Sequence, residues 1–299
     1  AHRHLQAGGC RGPRFPPSWE AGEMFNSLLS GVGGKRILRK KILPLIPKHD
    51  IYCEVFGGAA WILFGKSANK EDWQLSKKSR YTEVYNDING DLVNFWKYIK
   101  NHPEAFVTEL NNYLIAREMF DNFMKHEPRT ELERAIKFYY NLACSYGSRS
   151  KNFCVNQGYK YMPLRNLDKV KEASERLRHV IIEKQPWEKI VARFDQPHTL
   201  FYLDPPYYTK EHIYEREDAD AFNQHEELAE ALKQIKGKFL LSYNNDPYIK
   251  KLYDGCIIDE VETQYSVSGA FQTETELLIR NYGTYLQSRK CISTEIKKK

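Results

Sequence analysis

The stretch Leu200-Phe201-Tyr202-Leu203-Asp204-Pro205-Pro206-Tyr207 decides the fold. Its four apolar residues predict a buried strand. The two prolines end that strand, because proline lacks a backbone N–H and fixes φ near about −65°. Ligands of open α/β sheets bind at the carboxyl ends of the strands. The stretch therefore predicts a strand whose end presents the Asp204 carboxylate to a ligand. The alternative is a rigid turn with Asp204 as a local cap.

Short apolar runs alternate with helical patterns on both sides of this stretch, which is typical of an α/β sheet with crossover helices. The predicted strands are 51–56, 81–85, 180–183, 200–203, 239–243, 257–263 and 276–280. The predicted helices include 91–100, 105–112, 132–146 and 224–235.

The same patterns predict a domain organisation. Residues 24–100 and 179–288 form the sheet domain, and residues 101–178, which lack a strong strand pattern, form an inserted helical subdomain. Residues 1–23 are rich in Gly, Pro and Arg, and we expect a disordered or foreign leader before a native start at Met24. Residues 289–299 are expected to be a solvated basic tail.

Composition excludes several classes of protein. Of 299 residues, 41% are hydrophobic and 28% charged, which are globular values, and no apolar run is long enough to span a membrane. The net charge of +6 arises mostly in the tail, so bulk charge is no evidence for nucleic-acid binding. Six cysteines without a Cys-x-x-Cys pair predict a reduced, cytoplasmic protein, and nine histidines without ligand spacing predict no metal site.

Two further predicted strands end in residues suited to ligand binding. Glu54 and Phe56 precede the small-residue turn Gly57-Gly58, where a backbone can approach a ligand closely. The turn does not match Gly-x-Gly-x-x-Gly, which disfavours a nicotinamide or flavin dehydrogenase. Asp87 follows the next strand, where such sheets hold ribose hydroxyls, although it is also a candidate helix N-cap.

A glycine-rich segment, Gly31-Val32-Gly33-Gly34-Lys35-Arg36, precedes the first helical pattern. A phosphate-binding loop needs a glycine five residues before Gly34 and Ser or Thr after Lys35, and this chain has Leu29 and Arg36 there. The segment therefore disfavours a nucleotide triphosphatase and places Lys35 near a sheet edge.

Charge varies strongly within the body of the chain. Residues 149–189 carry ten basic residues against five acidic ones, a pattern suited to phosphate and base contacts, with a solvated helical face as the alternative. The predicted DNA-binding residues are Tyr146, Arg149, Lys151, Asn152, Tyr159, Tyr161 and Arg165. Residues 210–230 carry eight acidic residues against two basic ones, and we expect that loop to face away from a nucleic acid or to order late.

Taken together, these motifs resemble the Dam-like, alpha-class adenine-specific DNA methyltransferases, and phage-type members in particular, over residues 31–282. Phe239-Leu240-Leu241-Ser242-Tyr243-Asn244 is similar to the family's fifth strand, and Glu276-Leu277-Leu278-Ile279 is similar to its closing strand. The resemblance implies an S-adenosylmethionine-dependent methyltransferase (Rossmann-like) sheet with an inserted helical target-recognition subdomain. It also implies a phage or restriction-modification setting.

The resemblance implies roles for individual residues. The cofactor-binding residues for S-adenosylmethionine are Gly33, Gly34, Lys35, Glu54, Phe56, Gly57, Gly58, Asp87 and Asp204, and the catalytic residues are Asp204, Pro205, Pro206 and Tyr207. Double-stranded DNA is the implied partner. Three places depart from the family pattern: Gly31 stands where many relatives have Trp, Val55 where many have Pro, and Ser145-Tyr146-Gly147-Ser148-Arg149 where relatives often have Phe-Asn-Gly-Leu before Arg.

The chemistry follows from the residue types. The exocyclic amine of adenine is a poor nucleophile, and acceptors such as the Asp204 carboxylate and the Pro205 carbonyl draw it toward attack. The Tyr207 ring offers a stacking face for a base turned out of the duplex. The alternatives are an RNA amino-methyltransferase, a cytosine-N4 methyltransferase, and a catalytically inactive nucleic-acid-binding relative.

Overall fold

Seven strands form one sheet in the computed structural model, which describes residues 25–29, 35–145, 152–154, 166–208, 222–267 and 270–283. The order across the sheet is β3-β2-β1-β4-β5-β7-β6. The strands are β1 Ile51–Glu54, β2 Thr82–Asn86, β3 Val180–Glu183, β4 Thr199–Leu203, β5 Lys238–Asn244, β6 Ile257–Val267 and β7 Ala270–Arg280.

Helices connect the strands and cover both faces of the sheet. Those in the described residues are α1 Arg39–Ile42, α2 Trp61–Gly65, α3 Gly90–Asn101, α4 Pro103–Leu110, α5 Arg117–Lys125, α6 Glu131–Ala143, α7 Leu167–Leu177, α8 Trp187–Phe194, α9 His225–Gln234 and α10 Pro247–Leu252. No helix among these is long and apolar enough to cross a membrane.

The direction of each strand determines which strand ends lie at the same edge of the sheet. Strands β1 to β5 pair in parallel, whereas β7 runs antiparallel between β5 and β6. The strand order reverses between β1 and β4, which is the switch point where doubly wound sheets bind ligands. In register, Glu54 lies opposite Tyr202, so Asp204 extends just beyond the end of β1.

Two hydrophobic clusters cover the two faces of the sheet. Side chains alternate between the clusters along β4, with Leu200 and Tyr202 in one and Phe201 and Leu203 in the other. This alternation follows from the period of two residues in a strand, and it explains why the central strands are apolar throughout. Burial on both faces makes the end of β4 a rigid support for the residues that follow it.

The predicted α/β fold class is confirmed, and each predicted strand has a counterpart. Strands β6 and β7 are longer than predicted, because their pairing continues to Val267 and Ala270, past the apolar segments that identified them. Helix α6 ends at Ala143 rather than Tyr146. The N-cap of α3 is Asn89 and not Asp87, because the Asn89 side chain accepts hydrogen bonds from the Asp91 and Leu92 amides.

Helix α7, at the end of the predicted insertion, is attached to the sheet by a buried ion pair. Arg176 donates to both carboxylate oxygens of Glu83 on β2, at 2.6 and 3.0 Å, and to the carbonyl of Leu63. Residues of α4, α6 and α7 belong to the same hydrophobic cluster as one face of the sheet. The division into a sheet domain and an insertion at residues 101–178 stays a prediction.

Candidate active site

The predicted catalytic residue Asp204 lies directly after β4 and is held by two neighbours. The Nζ atom of Lys35 lies 3.0 Å from Oδ1, and the Ser242 hydroxyl of β5 donates to the same oxygen at 3.0 Å. Burial raises the pKa of Asp204, and the Lys35 ammonium opposes this rise. Both of these contacts are made to Oδ1.

Lys35 is buried between two carboxylates. Its ammonium lies 2.9 Å from Oε2 of Glu276 on β7 in addition to its contact with Asp204, and it also donates to the hydroxyl of Tyr207. Burial disfavours the charged form, but the two carboxylates outweigh it and raise the pKa of Lys35. Lys35 is therefore a fixed cation in this site.

Tyr207 lies against the same group of side chains. Its hydroxyl donates to Oε2 of Glu276 at 2.6 Å, and its ring stacks on Tyr243 with a centroid distance of 5.8 Å and an interplanar angle of 28°. Burial, followed by the charges of Asp204 and Glu276, raises the pKa of Tyr207, so the phenol keeps its proton. Of the two intervening residues, Pro205 is buried and Pro206 half-buried.

Glu54 ends β1 beside this group. The Tyr52 hydroxyl and the Leu63 amide donate to its Oε2 at 3.0 and 2.8 Å. Burial raises the pKa of Glu54 to about 8, which exceeds the lowering by these two hydrogen bonds. Near neutral pH the carboxyl group is therefore close to its pKa, and a nearby charge can change its protonation state.

The small-residue turn after β1 is built around Asp87. The Gly58 amide donates to Asp87 Oδ2 at 2.9 Å, and the Asn89 amide donates to Oδ1 at 2.8 Å. Only glycine fits at position 57, because a Cβ atom there would stand 2.2 Å from the ring of Tyr85. Phe56 is half-buried beside the turn and makes an edge contact with Phe222.

Gly58 faces open space. Its φ is +48°, and no atom of the described residues lies within 4 Å of where a Cβ would stand. The turn thus leaves a cradle next to Asp87 and Glu54 that a bound molecule can fill.

The structure brings together Lys35, Asp204 and Tyr207, and it places Glu54, Gly57, Gly58 and Asp87 along the same edge. Asn152 is exposed beside Phe153, whose ring lies near Phe120 and the Arg117 guanidinium. The other predicted residues lie outside the described residues: Gly33, Gly34, Tyr146, Arg149, Lys151, Tyr159, Tyr161 and Arg165. Of the predicted acidic loop at residues 210–230, positions 210–221 lie outside the described residues, whereas positions 225–230 belong to helix α9 rather than to a loop.

Two residues of this site, Glu276 and Ser242, were assigned no role from the sequence. Ser242 is a polar residue in an otherwise apolar strand segment, which is a signal that was available in the sequence. Glu276 is the last residue of the polar run 272–276 and carries no such signal. The Ser242 contact depends on the pairing of β5 with β4, and the Glu276 contacts depend on the pairing of β7 with β5. A strand pattern does not reveal either pairing. In the part of the chain that the structure describes, no group of three or more His, Cys, Asp and Glu side chains is arranged to hold a metal ion.

A doubly wound sheet with an acidic residue at the switch point, a glycine turn and a second acidic residue after β2 defines an enzyme site for a nucleotide-like ligand. Residues 32–267 match the family described as D12 class N6 adenine-specific DNA methyltransferase. The chain belongs to this family. It is an enzyme that methylates N6 of adenine in DNA, which confirms the family, fold class and activity predicted from the sequence.

Several known proteins are similar to this chain over most of its length. The Type II methyltransferase M1.LlaDCHI of Lactococcus lactis subsp. cremoris is 27% identical over 278 residues, covering 84% of this chain and 93% of that protein. The Type II methyltransferase M.CviBI of Paramecium bursaria Chlorella virus NC1A is 24% identical, covering 84% and 97%. A DNA adenine methylase of Vibrio cholerae serotype O1 is 23% identical, covering 88% and 98%.

Methyl transfer requires a methyl donor, and the residues of the switch point fit one. Gly58 leaves space beside the Asp87 carboxylate, and the buried carboxyl group of Glu54, whose pKa is about 8, ends the neighbouring strand β1.

Proposed function

We propose that the chain transfers the methyl group of S-adenosylmethionine to an adenine turned out of double-stranded DNA, with Asp204 and Tyr207 receiving the base. The observation that carries this proposal is the Asp204 carboxylate, fixed through Oδ1 by Lys35 and Ser242 beside the Tyr207 ring. Such a preorganised acceptor costs no rearrangement when charge develops on the amine.

Asp204 and Pro205 act on the amine. Oδ2 of Asp204 accepts one N–H bond and the Pro205 carbonyl accepts the other, so that the nitrogen lone pair is directed away from the ring. A bound methyl donor would supply an electrophilic methyl group and would keep the electron pair of the bond to that group. The new C–N bond leaves one proton to be lost from the nitrogen, and the raised pKa of Asp204 favours its passage to that carboxylate.

Lys35, Glu54, Phe56, Gly57, Gly58 and Asp87, together with Gly33 and Gly34, are proposed to hold S-adenosylmethionine. Asp87 follows β2 at the position where ribose hydroxyls bind in such sheets, and Glu54 is placed to receive a cationic amino group. The departures at Gly31 and Val55 concern the affinity for the methyl donor rather than the reaction.

We propose that residues 101–178 are the target-recognition insertion. Its loop supplies the aromatic and basic residues Tyr146, Arg149, Lys151, Asn152, Tyr159, Tyr161 and Arg165 for contact with DNA. The enzyme is proposed to act in the cytoplasm, where its DNA substrate lies.

The test is transfer of a labelled methyl group to unmethylated duplex DNA, single-stranded DNA and RNA, with the products identified as nucleosides by mass spectrometry. The proposal expects N6-methyladenine, formed fastest in duplex DNA and abolished by omitting S-adenosylmethionine. N4-methylcytosine or transfer to RNA alone would contradict it. Fluorescence of 2-aminopurine placed at the target adenine tests base flipping, since a base leaving the stack brightens on binding.

A further inference from the structure

Glu276 belongs to the closing strand but lies at the active-site edge of the sheet. Strand β7 runs opposite to β5, and the register pairs Glu276 with Asn244, the last residue of β5. The residue is 2% exposed. Burial of a carboxylate is unfavourable in free energy unless hydrogen-bond or ion-pair partners compensate for the lost hydration.

Two partners of Glu276 Oε2 belong to the proposed catalytic group. The Tyr207 hydroxyl donates to this oxygen at 2.6 Å and the Lys35 ammonium at 2.9 Å. Lys35 also contacts the Tyr207 hydroxyl and Oδ1 of Asp204. One carboxylate thus connects the cation that holds Asp204 with the phenol of the ring that receives the base.

The ring of Tyr207 is constrained at two places. Tyr243 stacks against one face, and Glu276 with Lys35 holds the hydroxyl end. A phenylalanine at position 207 would present the same stacking surface without this attachment. The hydroxyl therefore has a use apart from stacking: it sets the plane against which a base would lie.

We propose that Glu276 is a positioning residue that anchors the Tyr207 phenol and holds Lys35 against Asp204, so that a flipped adenine meets a ring of fixed orientation and a carboxylate of fixed charge. This inference rests on the proposed function. It predicts that removing the hydrogen bond from either side lowers the rate of chemistry more than it lowers substrate affinity, because the geometry of the bound base changes.

The experiment compares Tyr207→Phe, Glu276→Ala and the double variant in single-turnover methyl transfer. We expect each single variant to lose about 10- to 100-fold in the transfer rate, with KM for DNA changed less than about threefold. The double variant is expected to be no slower than Glu276→Ala, since Glu276→Ala already removes the hydrogen bond that Tyr207→Phe removes. Glu276→Gln, which keeps an acceptor for the phenol, is expected to recover part of the rate lost in Glu276→Ala.

A spectroscopic measurement distinguishes positioning from folding stability. With 2-aminopurine at the target position, Tyr207→Phe is expected to bind and flip the base but to leave it more mobile, which lowers its fluorescence anisotropy. Glu260→Ala on β6, an exposed carboxylate paired with Lys250, is the matched control and should change neither rate nor anisotropy.

The inference is overturned if Tyr207→Phe transfers methyl groups at the wild-type rate with unchanged anisotropy, whatever Glu276→Ala does to folding. If Glu276→Ala does not fold, the Tyr207→Phe and Glu276→Gln variants are sufficient for the test. Absence of transfer by the wild-type enzyme would instead refute the proposed function, so the two failures are distinguishable.

Discussion

The ammonium of Lys35 lies 3.0 Å from Oδ1 of Asp204, and it joins the segment before α1 to the end of β4. The same ammonium lies 2.9 Å from Glu276, which is 241 residues away in the sequence. One buried cation therefore balances the buried Glu276 carboxylate and the half-buried Asp204 carboxylate at the edge where the strand order reverses. The charge and the orientation of the proposed catalytic carboxylate depend on this arrangement.

Lys35→Met removes the cation while keeping the length of the side chain. Asp204 and Glu276 then repel each other, and the pKa of Asp204 rises further. We expect transfer to fall by about 100-fold at neutral pH and the acidic limb of the rate profile to move to higher pH, because less of Asp204 is ionised at a given pH. Rates measured from pH 6 to 9 test this, with the exposed Lys40→Met as control. An unshifted limb would refute the coupling.

Ser242→Ala removes the second hydrogen bond to Asp204 Oδ1. It also removes the contact of the Ser242 hydroxyl with the Tyr202 hydroxyl at 3.0 Å. These losses weaken positioning without removing charge, so we expect a decrease of about tenfold in kcat and little change in KM. Ser174→Ala is a matched control, because that hydroxyl donates to the Lys100 carbonyl, outside the group of side chains around Asp204. Equal rates for the two variants would show that Ser242 does not orient the carboxylate.

Glu54 predicts a proton-linked affinity for the methyl donor. Its pKa of about 8 means that the carboxyl group is mostly protonated below that pH, and it loses the proton when a cationic amino group binds beside it. The affinity for S-adenosylhomocysteine should therefore increase as pH rises from 6 to 8, by up to about tenfold per pH unit.

Titration calorimetry in buffers of different ionisation enthalpy measures the released proton directly. Glu54→Gln should abolish both the slope and the proton release, whereas the exposed Glu71→Gln should leave them unchanged. A variant Glu54→Gln with the wild-type slope would place the titrating group elsewhere.

The buried Arg176–Glu83 ion pair, which holds α7 to the sheet, predicts how the stability of the fold depends on pH. Burial would raise the pKa of Glu83, but Arg176 and Lys66 outweigh it and lower that pKa to about 2. The folded pKa is below the unfolded one, so the stabilisation is present above about pH 4 and is lost as pH falls toward 2.

Arg176→Met should reduce the free energy of unfolding by about 3 to 5 kcal/mol at pH 7, because Glu83 loses its principal partner, and by less at pH 3. Urea unfolding at the two pH values measures this difference. Arg178→Met removes an exposed i,i+3 pair with Glu175 and should cost less than about 1 kcal/mol. Similar losses for both variants would contradict the role assigned to the buried pair.

The sequence was sufficient to predict the strands and the residues at their carboxyl ends. Asp204, Glu54 and Asp87 follow apolar runs, and parallel strands bring such positions to one edge regardless of the intervening chain. The extension of β6 and β7 was predicted less well, because pairing between the two strands prolongs them beyond their apolar segments. Helix α6 ends three residues earlier than predicted.

Glu276 and Ser242 show what the sequence did not reveal. The contact of Glu276 with Tyr207 requires the antiparallel insertion of β7 beside β5 and the register that pairs Asn244 with Glu276. The contact of Ser242 with Asp204 requires the parallel register of β5 with β4. Local patterns carry no information on that register. A buried polar residue in an apolar strand indicates that a partner exists but does not identify it.

The most direct test of the central claim is single-turnover methyl transfer by Asp204→Asn, which keeps the shape of the side chain and removes its charge. The account predicts that transfer to adenine in duplex DNA falls by about 100-fold or more while affinities for DNA and the methyl donor stay within about tenfold. Asp254→Asn, an exposed position after α10, should retain the full rate. Wild-type transfer by Asp204→Asn would contradict the assignment of Asp204 as the residue that activates the amine.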